Sequence, residues 1–218
     1  MKYILLGLAF FCASLSFAQE FVTISPRELY VPAINPGIFR EDYRKKANEL
    51  KCLEADFDQE KQITLLTTKL TSTGNMTFRH DNKFKIQYLT PNKFIFSMQG
   101  NKITVKDGDR AASSMSTKNN KLFEQVSQIT FNAINGNIFD SKDFNYTILE
   151  NYYSYLIKLV PKSKELKQYY SDLHLYVNKK TFLIETIIMN EASGDKTEMK
   201  FKNFKVNNPV PDEAFIIN

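Results

Sequence analysis

The sequence predicts a mainly β, single-domain protein, folded as a strongly curved, incomplete antiparallel β-barrel with a helical lid. About ten short segments alternate apolar and polar residues, and two segments repeat apolar residues at helical spacing. No strand–helix–strand rhythm is present, so a parallel sheet is not expected. A long antiparallel sheet should curl, and the two helices are the natural cover for its concave face.

The first residues have the pattern of an export signal. Lys2 precedes the apolar run 4–11, which is too short to span a bilayer, and Ser16-Phe17-Ala18 offers small residues where a signal peptidase cuts. We expect residues 1–18 to be a cleaved signal peptide. An uncleaved anchor helix is the alternative, but the polar residues after Ala18 end the apolar run abruptly.

The next segment, residues 19–38, is predicted to be an N-terminal arm. Its prolines and Gly37 interrupt any regular element, while its apolar residues suggest that it packs on the domain formed by residues 39–218. A helix follows over residues 40–52, because Phe39, Tyr43, Ala47 and Leu50 recur at helical spacing.

From residue 53 the apolar period changes to two, which is typical of strands with one buried face. Asp107-Gly108 is a strong hairpin signal between two of these segments. The predicted strands lie within residues 53–58, 74–78, 84–88, 94–99, 102–106, 144–148, 153–159, 172–177, 182–189 and 198–202.

One helix interrupts the strands over residues 119–135. It has an apolar stripe at helical spacing and stops at Asn135-Gly136-Asn137. The stripe is formed by Phe123, Val126, Ile129, Ala133 and Ile134.

The sequence holds little that could carry catalysis or bind a metal. His80 and His174 each lie in a strand pattern without a second ligand at metal spacing, and no known catalytic or nucleotide-binding motif is present. The acidic residues Asp56, Asp58 and Glu60 alternate out of one strand, which is more typical of a solvated face. We therefore expect no enzyme and no cofactor.

Charge and cysteine content narrow the class of protein further. The net charge of +5 is dispersed along the chain, so a nucleic-acid partner is not expected. Cys52 alone remains after signal cleavage, so an internal disulfide is excluded and a hydrophobic core must stabilise the fold. We expect Cys52 to be a small buried residue at a helix–strand junction.

Aromatic content is the unusual feature, with 18 Phe and 11 Tyr but no Trp. Many Phe residues share the inward phase of the strands. They either fill an ordinary core or line an apolar cavity of the kind that small barrels use for ligands, and periodicity alone does not separate the two.

Several motifs resemble the outer-membrane lipoprotein carrier family, LolA, over about residues 40–218. The order of the motifs carries the resemblance more than any one of them does. They are Phe57-Asp58-Gln59-Glu60-Lys61, Leu70-Thr71-Ser72-Thr73-Gly74, Lys83-Phe84-Lys85-Ile86-Gln87-Tyr88-Leu89-Thr90-Pro91, Gly100-Asn101-Lys102-Ile103, Leu159-Val160-Pro161-Lys162, Ser193-Gly194-Asp195-Lys196-Thr197 and the segment 207–215.

The resemblance implies a function and its partners. Members of the family take lipoproteins from an inner-membrane ABC exporter and pass them across the periplasm to the outer membrane. It therefore implies a periplasmic, monomeric carrier of acylated lipoproteins or related lipid cargo, with an outer-membrane acceptor that the sequence does not identify. An exported scaffold module with a fully packed core remains the alternative.

Two positions depart from the family pattern. Ile86 stands where a Trp is usual, and His80 stands where an Arg at the end of the second strand bonds to the lid, with Arg79 one position earlier. The resemblance makes these two residues candidates for a lid latch, but alternation turns Arg79 away from the concave face. A specialised carrier of another acylated molecule, for example a lipid-like pigment precursor, is therefore also open.

A lipid-binding cavity is expected on the inward phase of the strands. Its predicted wall is Phe78, Phe84, Ile86, Phe94, Phe96 and Ile103, and its predicted cap is Phe123, Val126 and Ile129.

Overall fold

The computed structural model describes residues 29–66, 68–116, 129 and 131–217. The predicted signal peptide, the first half of the arm (residues 19–28), and Phe123 and Val126 of the predicted lid lie outside these residues. The described strands are β1 (Val31–Pro32), β2 (Cys52–Gln62), β3 (Lys69–Arg79), β4 (Lys83–Thr90), β5 (Phe94–Gln99), β6 (Lys102–Asp107), β7 (Ser113–Ser116), β8 (Phe144–Glu150), β9 (Ser154–Pro161), β10 (Tyr170–Asn178), β11 (Ile184–Glu191) and β12 (Lys196–Val206).

All twelve described strands form one antiparallel sheet in the order β1-β8-β9-β10-β11-β12-β2-β3-β4-β5-β6-β7. Each strand pairs with its neighbours in that order, and within the described residues the edge strands β1 and β7 do not pair with each other, so the sheet stays open. This confirms the predicted mainly β, incomplete barrel. The β12–β2 pairing joins the two halves, because it brings the last strand of the chain beside the first long one.

The sequence prediction missed the two strands at the edges of the sheet. β1 has only two residues, one of them a proline, and pairs Val31 with Glu150 of β8. β7 is Ser-Ser-Met-Ser and pairs with β6. Neither segment is long enough or apolar enough to show a period of two, so only the tertiary pairing reveals them.

The first helix, α1, spans Pro36–Glu49 rather than residues 40–52. Its first turn contains Pro36, whose fixed φ and missing N–H suit that position. The helix ends because Leu50 adopts an extended conformation (φ −81°, ψ 109°) and leads into β2. Residues 36–38, which the sequence placed in the arm, therefore belong to α1.

The apolar face of α1 packs on the concave face of β8–β10. Phe39 is 1% exposed and stacks on Tyr155 with ring centroids 3.9 Å apart. Tyr43 is equally enclosed, and its hydroxyl donates a 2.6 Å hydrogen bond to the carbonyl of Ala133. Helical residues 131–134 continue this cover toward β3, where Phe131 meets Phe78 at 6.0 Å.

The convex face carries ion pairs and one small apolar cluster. Asp58 pairs with Lys202 and Glu60 with Lys69, so the alternating acidic residues lie on a solvated face. Cys52 is a free, buried thiol at the start of β2, as predicted. It packs with the C-terminal segment around Val210 and Phe215.

Gly74 in β3 lies where the backbone and an aromatic ring approach most closely. A Cβ placed on it would lie 2.2 Å from the carbonyl oxygen of Gln87 and 2.5 Å from the ring of Phe57. A side chain cannot fit there without moving a strand or a buried phenyl ring. The glycine lets Phe57 fill the middle of the sheet at 0% exposure.

Candidate functional site: an apolar cavity under the helices

An apolar cavity of about 740 Å³ lies between the concave face of the sheet and the covering helices. This volume is in the range of pockets that hold small organic ligands, roughly 300–1,000 Å³. One wall comes from β3–β5 and includes Met76, Phe84, Ile86, Phe96 and Met98. The opposite wall comes from β9–β12.

The helices supply the third side of the cavity. Tyr43, Ala47 and Leu50 of α1 line it, together with Ile129, Ala133 and Ile134. Burial raises the pKa of the Tyr43 hydroxyl far above its ordinary value, so that hydroxyl stays protonated and bonded to Ala133. Helical residues 131–134 are thereby attached to α1 by a buried hydrogen bond.

The structure brings five of the nine predicted cavity residues to this wall. They are Phe84, Ile86, Phe94, Phe96 and Ile129. Ile86, the residue that replaces the usual Trp of the pattern, lies in the middle of β4 opposite Phe96. The remaining predicted cap residues, Phe123 and Val126, lie outside the described residues.

Phe78 and Ile103 are placed differently. Both share the inward phase, but both are 0% exposed and neither lines the cavity. The ring of Phe131 covers Phe78. Alternation predicted the correct face for these side chains but not the residues that cover them. Because neither side chain lines the cavity, we leave both out of the proposed binding surface.

Sequence reasoning missed the half of the wall that comes from β9–β12. Leu159, Leu173, Leu175, Ile187 and Phe201 all line the cavity. Their alternation was visible in the sequence for β9, β10 and β12. The phase of β11 was obscured, because residues 182–189 are apolar at nearly every position.

The two ends of the cavity are polar. At one end Lys46 and Glu49 of α1 form a 2.9 Å ion pair beside Asn207. At the other end lie the hydroxyls of Tyr88 and Tyr170. Burial raises the pKa of both tyrosines, so both remain neutral hydrogen-bonding groups at physiological pH.

The arrangement offers apolar surface rather than reactive groups. Among the described residues, no set of three or more His, Cys, Asp or Glu side chains is placed to hold a metal ion. His174 lies on the convex face with its Nε2 2.9 Å from Asp172, and burial lowers its pKa. Within the same described ranges, no helix is both long and apolar enough to cross a membrane.

Comparison with known proteins identifies the family. The model of the family described as "Outer membrane lipoprotein carrier protein LolA" matches residues 48–218, which is most of the chain. The chain belongs to the LolA family. No curated protein matches it.

Solved structures resemble this LolA-family chain in fold. A LolA superfamily protein from Nitrosomonas europaea is 14% identical with a TM-score of 0.44, covering 82% of this chain and 97% of that one. The Mycobacterium tuberculosis lipoprotein LppX is 12% identical with a TM-score of 0.44, covering 82% and 99%. The Pseudomonas aeruginosa MucA/MucB complex is 9% identical with a TM-score of 0.47, covering 83% of this chain and 61% of that one. We draw no functional conclusion from likenesses at this level.

The candidate latch residue Arg79 does not point at the helical cover. Its guanidinium bonds to Asp81, to Asp212 and to the carbonyl of Val210, on the convex side of the sheet. It also lies 5.5 Å from the ring centre of Phe215. Arg79 therefore anchors the C-terminal segment 210–215, which we call the C-terminal clasp, and among the described residues it makes no bond to the helices that cover the cavity.

His80, the other latch candidate, is exposed in the turn after β3. Its backbone N–H donates to the carbonyl of Lys51 at 2.9 Å. Among the described residues, no side-chain bond joins His80 to the helical cover. The outward orientation of the Arg79 side chain follows from strand alternation, because Arg79 comes directly after the inward-facing Phe78.

Proposed function

We propose that this chain is a periplasmic carrier that shields acyl chains in its apolar cavity and moves them between membranes. The observation that carries the proposal is the cavity of about 740 Å³, whose wall is formed by aromatic and aliphatic side chains from both halves of the sheet. Membership of the LolA family supports lipoprotein or related lipid cargo.

The physical need for such a carrier follows from the hydrophobic effect. A sixteen-carbon chain carries on the order of 10 kcal/mol of unfavourable transfer free energy in water, at roughly 0.8 kcal/mol per methylene. Free diffusion through an aqueous compartment is then negligible. A wall without directional contacts offsets this free energy for chains of different shapes, and release then needs only an equally apolar acceptor.

Methionine makes part of the wall adaptable. Met76, Met98, Met189 and Met199 all line the cavity. Their unbranched, polarisable side chains repack around irregular ligands at low cost. Such a wall suits a carrier that holds acyl chains of more than one length.

Loading requires the helical cover to move. Ile129, Ala133 and Ile134 line the cavity on its helical side, while α1 is held against the sheet by the stacking of Phe39 on Tyr155. We expect the segment containing residues 119–135 to move and α1 to stay. The contacts of Arg79 with the C-terminal clasp favour either a different control of opening or a specialised acylated cargo.

The partners that we propose follow from the family. The donor is an inner-membrane ABC lipoprotein exporter and the acceptor is at the outer membrane, with the carrier acting as a monomer after removal of residues 1–18. No step of this transfer requires a cofactor, because the cargo changes environment and not covalent structure.

The decisive experiment measures uptake of a fluorescent fatty-acid probe by the mature protein. We expect saturable binding by the wild type and loss of binding in Ile129→Glu, because a carboxylate at the cavity wall cannot be left desolvated beside an acyl chain. Leu65→Glu is the matched control, since Leu65 is 93% exposed and outside the cavity.

Three results bear on the proposal. Binding by the wild type and Leu65→Glu, but not by a folded Ile129→Glu, supports it. Absence of probe binding by the wild type, together with no co-purified lipid in native mass spectrometry, would favour the scaffold module instead. Binding that Ile129→Glu leaves unchanged would place the probe outside this cavity.

A further inference from the structure

The concave face changes from apolar to polar toward the end of the sheet that holds the β2–β3 and β11–β12 connections. In β11 Met189 is followed on this face by Glu191, and in β12 Met199 is preceded by Thr197. In β2 the inward residues after Phe57 are Gln59 and Lys61. Three adjacent strands thus change character toward the same end.

These polar side chains meet one another beside the cavity. The Lys61 ammonium lies 2.7 Å from Glu191, and the Thr197 hydroxyl donates to the same carboxylate at 3.2 Å. The Tyr88 hydroxyl donates to the Gln59 side-chain oxygen at 2.9 Å. We call this group the polar end of the cavity. Its members are Gln59, Lys61, Tyr88, Tyr170, Glu191 and Thr197.

The polar end has hydrogen-bond donors that its own contacts do not use. Among the described residues, none accepts a hydrogen bond from the Tyr170 hydroxyl or from the Gln59 amide nitrogen. The Lys61 ammonium has three N–H donors and makes one close contact, to Glu191. Tyr170 also lines the cavity, so its free donor lies where a ligand would end.

Burial separates this end from the other polar end of the cavity. Lys46 and Glu49, beside α1, have side chains that are 49% and 52% exposed, so water competes for them. Lys61 and Glu191 are 31% and 23% exposed. A hydrogen bond formed at the less exposed end is worth more, because the local dielectric constant is lower.

We propose that the polar end holds the oxygen-bearing head of the acyl cargo, with the chain running along the cavity toward α1. This inference rests on the proposed carrier function and adds to it the direction in which cargo lies. The unused groups are donors, so they fit an acceptor head, which is either a carboxylate or an ester carbonyl. Glu191 compensates the charge of Lys61, so a neutral ester fits as well as an anion.

The test compares three probes that carry the same fluorophore at the tail end. One has a free carboxylate head, one a methyl ester head, and one a plain hydrocarbon end. In the double variant Gln59→Met/Tyr170→Phe, the carboxylate and ester probes should bind roughly tenfold more weakly, as expected for two lost hydrogen bonds. The hydrocarbon probe should bind as it does to the wild type.

The matched control is Lys46→Met/Glu49→Met, which removes the polar pair at the other end. It should change the binding of all three probes by the same factor, because the three probes share the tail that reaches that end and differ only at the head. Urea unfolding of both double variants establishes that each remains folded at the assay temperature. A photoreactive group at the probe head should label the peptide containing Lys61 or Tyr170 rather than α1.

Each outcome decides a separate point. Equal loss for the hydrocarbon probe would mean that the two substitutions act through packing, which overturns the proposal. Head-dependent loss in the control, or labelling of α1, would place the head at the opposite end and also overturn it. Loss for the carboxylate probe alone would assign an anionic head at the proposed site. If the wild type binds none of the three probes, the carrier function itself fails.

Discussion

A comparison of two phenylalanines on the same sheet tests whether the concave face holds a cavity or a packed core. Phe57 is 0% exposed, lies outside the cavity, and contacts the rings of Tyr88 and Phe201 at 5.1 and 6.3 Å. Phe96 lines the cavity and is only partly buried, and its ring contact with Phe84 is longer, at 6.5 Å. The same substitution at the two positions should therefore have unequal consequences.

We expect Phe57→Ala to lower the free energy of unfolding by about 3–5 kcal/mol, the usual cost of removing a fully packed ring. Phe96→Ala should lower it by roughly 1–2 kcal/mol, because the cavity side of the ring has no protein atoms whose contacts would be lost. Urea titrations followed by circular dichroism, with equal slopes for all three proteins, measure both values. Equal costs near the larger figure would refute the cavity.

Ligand adds a second readout to the same pair. A fatty acid present at about one hundred times its dissociation constant should stabilise the wild type by about 2.7 kcal/mol. Phe57→Ala, if it folds, should gain a similar amount, because its binding wall is intact. Phe96→Ala should gain clearly less. A larger gain for Phe96→Ala than for Phe57→Ala would contradict the assignment of Phe96 to the wall.

Three further predictions concern the frame around the cavity. Gly74→Ala should lower the free energy of unfolding by more than about 3 kcal/mol or prevent folding. Gly37→Ala, whose new Cβ meets nothing within 4 Å, should leave the free energy of unfolding equal or slightly raised. Urea midpoints of the two variants measure the difference. Cys52→Ala should keep probe uptake, and the wild-type thiol should react with Ellman's reagent only after unfolding; loss of uptake in a stable variant would contradict this. The guanidinium of Arg79 lowers the pKa of Asp81 to about 2. The ionised Asp81 therefore stabilises the fold above its unfolded pKa of about 3.9, and this stabilisation is lost as the pH falls toward 2. In Asp81→Asn/Asp212→Asn the urea midpoint should depend less on pH over that range.

The strands and their buried face could be predicted because alternation in this chain is local and clear. Segments such as Phe84-Lys85-Ile86 carry their own record of which side is apolar. The first helix was equally visible, although Pro36 extended it by one turn at the start. Alternation could not predict which of the inward-facing side chains are covered by other residues and which line the cavity. Phe78 and Phe96 share a face and a residue type, yet a ring from residue 131 covers the first and leaves the second open to the cavity.

The contacts of the charged residues were beyond local reasoning for a different reason. Arg79 and Asp212 are far apart in sequence and meet only because the C-terminal clasp folds back over β3 and β4. The polar end is similar, since Lys61 and Glu191 belong to strands separated by β12. Each residue alone is an ordinary charged residue at the end of a strand. Their significance comes from sheet order, which has no signature in composition or period.

The shape of the wall leads to a last expectation, on chain length. If apolar contact supplies most of the affinity, each methylene that stays within the cavity should add about 0.8 kcal/mol, which is roughly fourfold in the dissociation constant. A series of saturated fatty acids should therefore bind progressively more tightly until the chain fills the cavity, and then no more. Displacement of the fluorescent probe measures the series. An affinity that does not depend on chain length would mean that the head group supplies the binding energy, and that the wall of Phe84, Ile86 and Phe96 is a packing surface and not the carrier site.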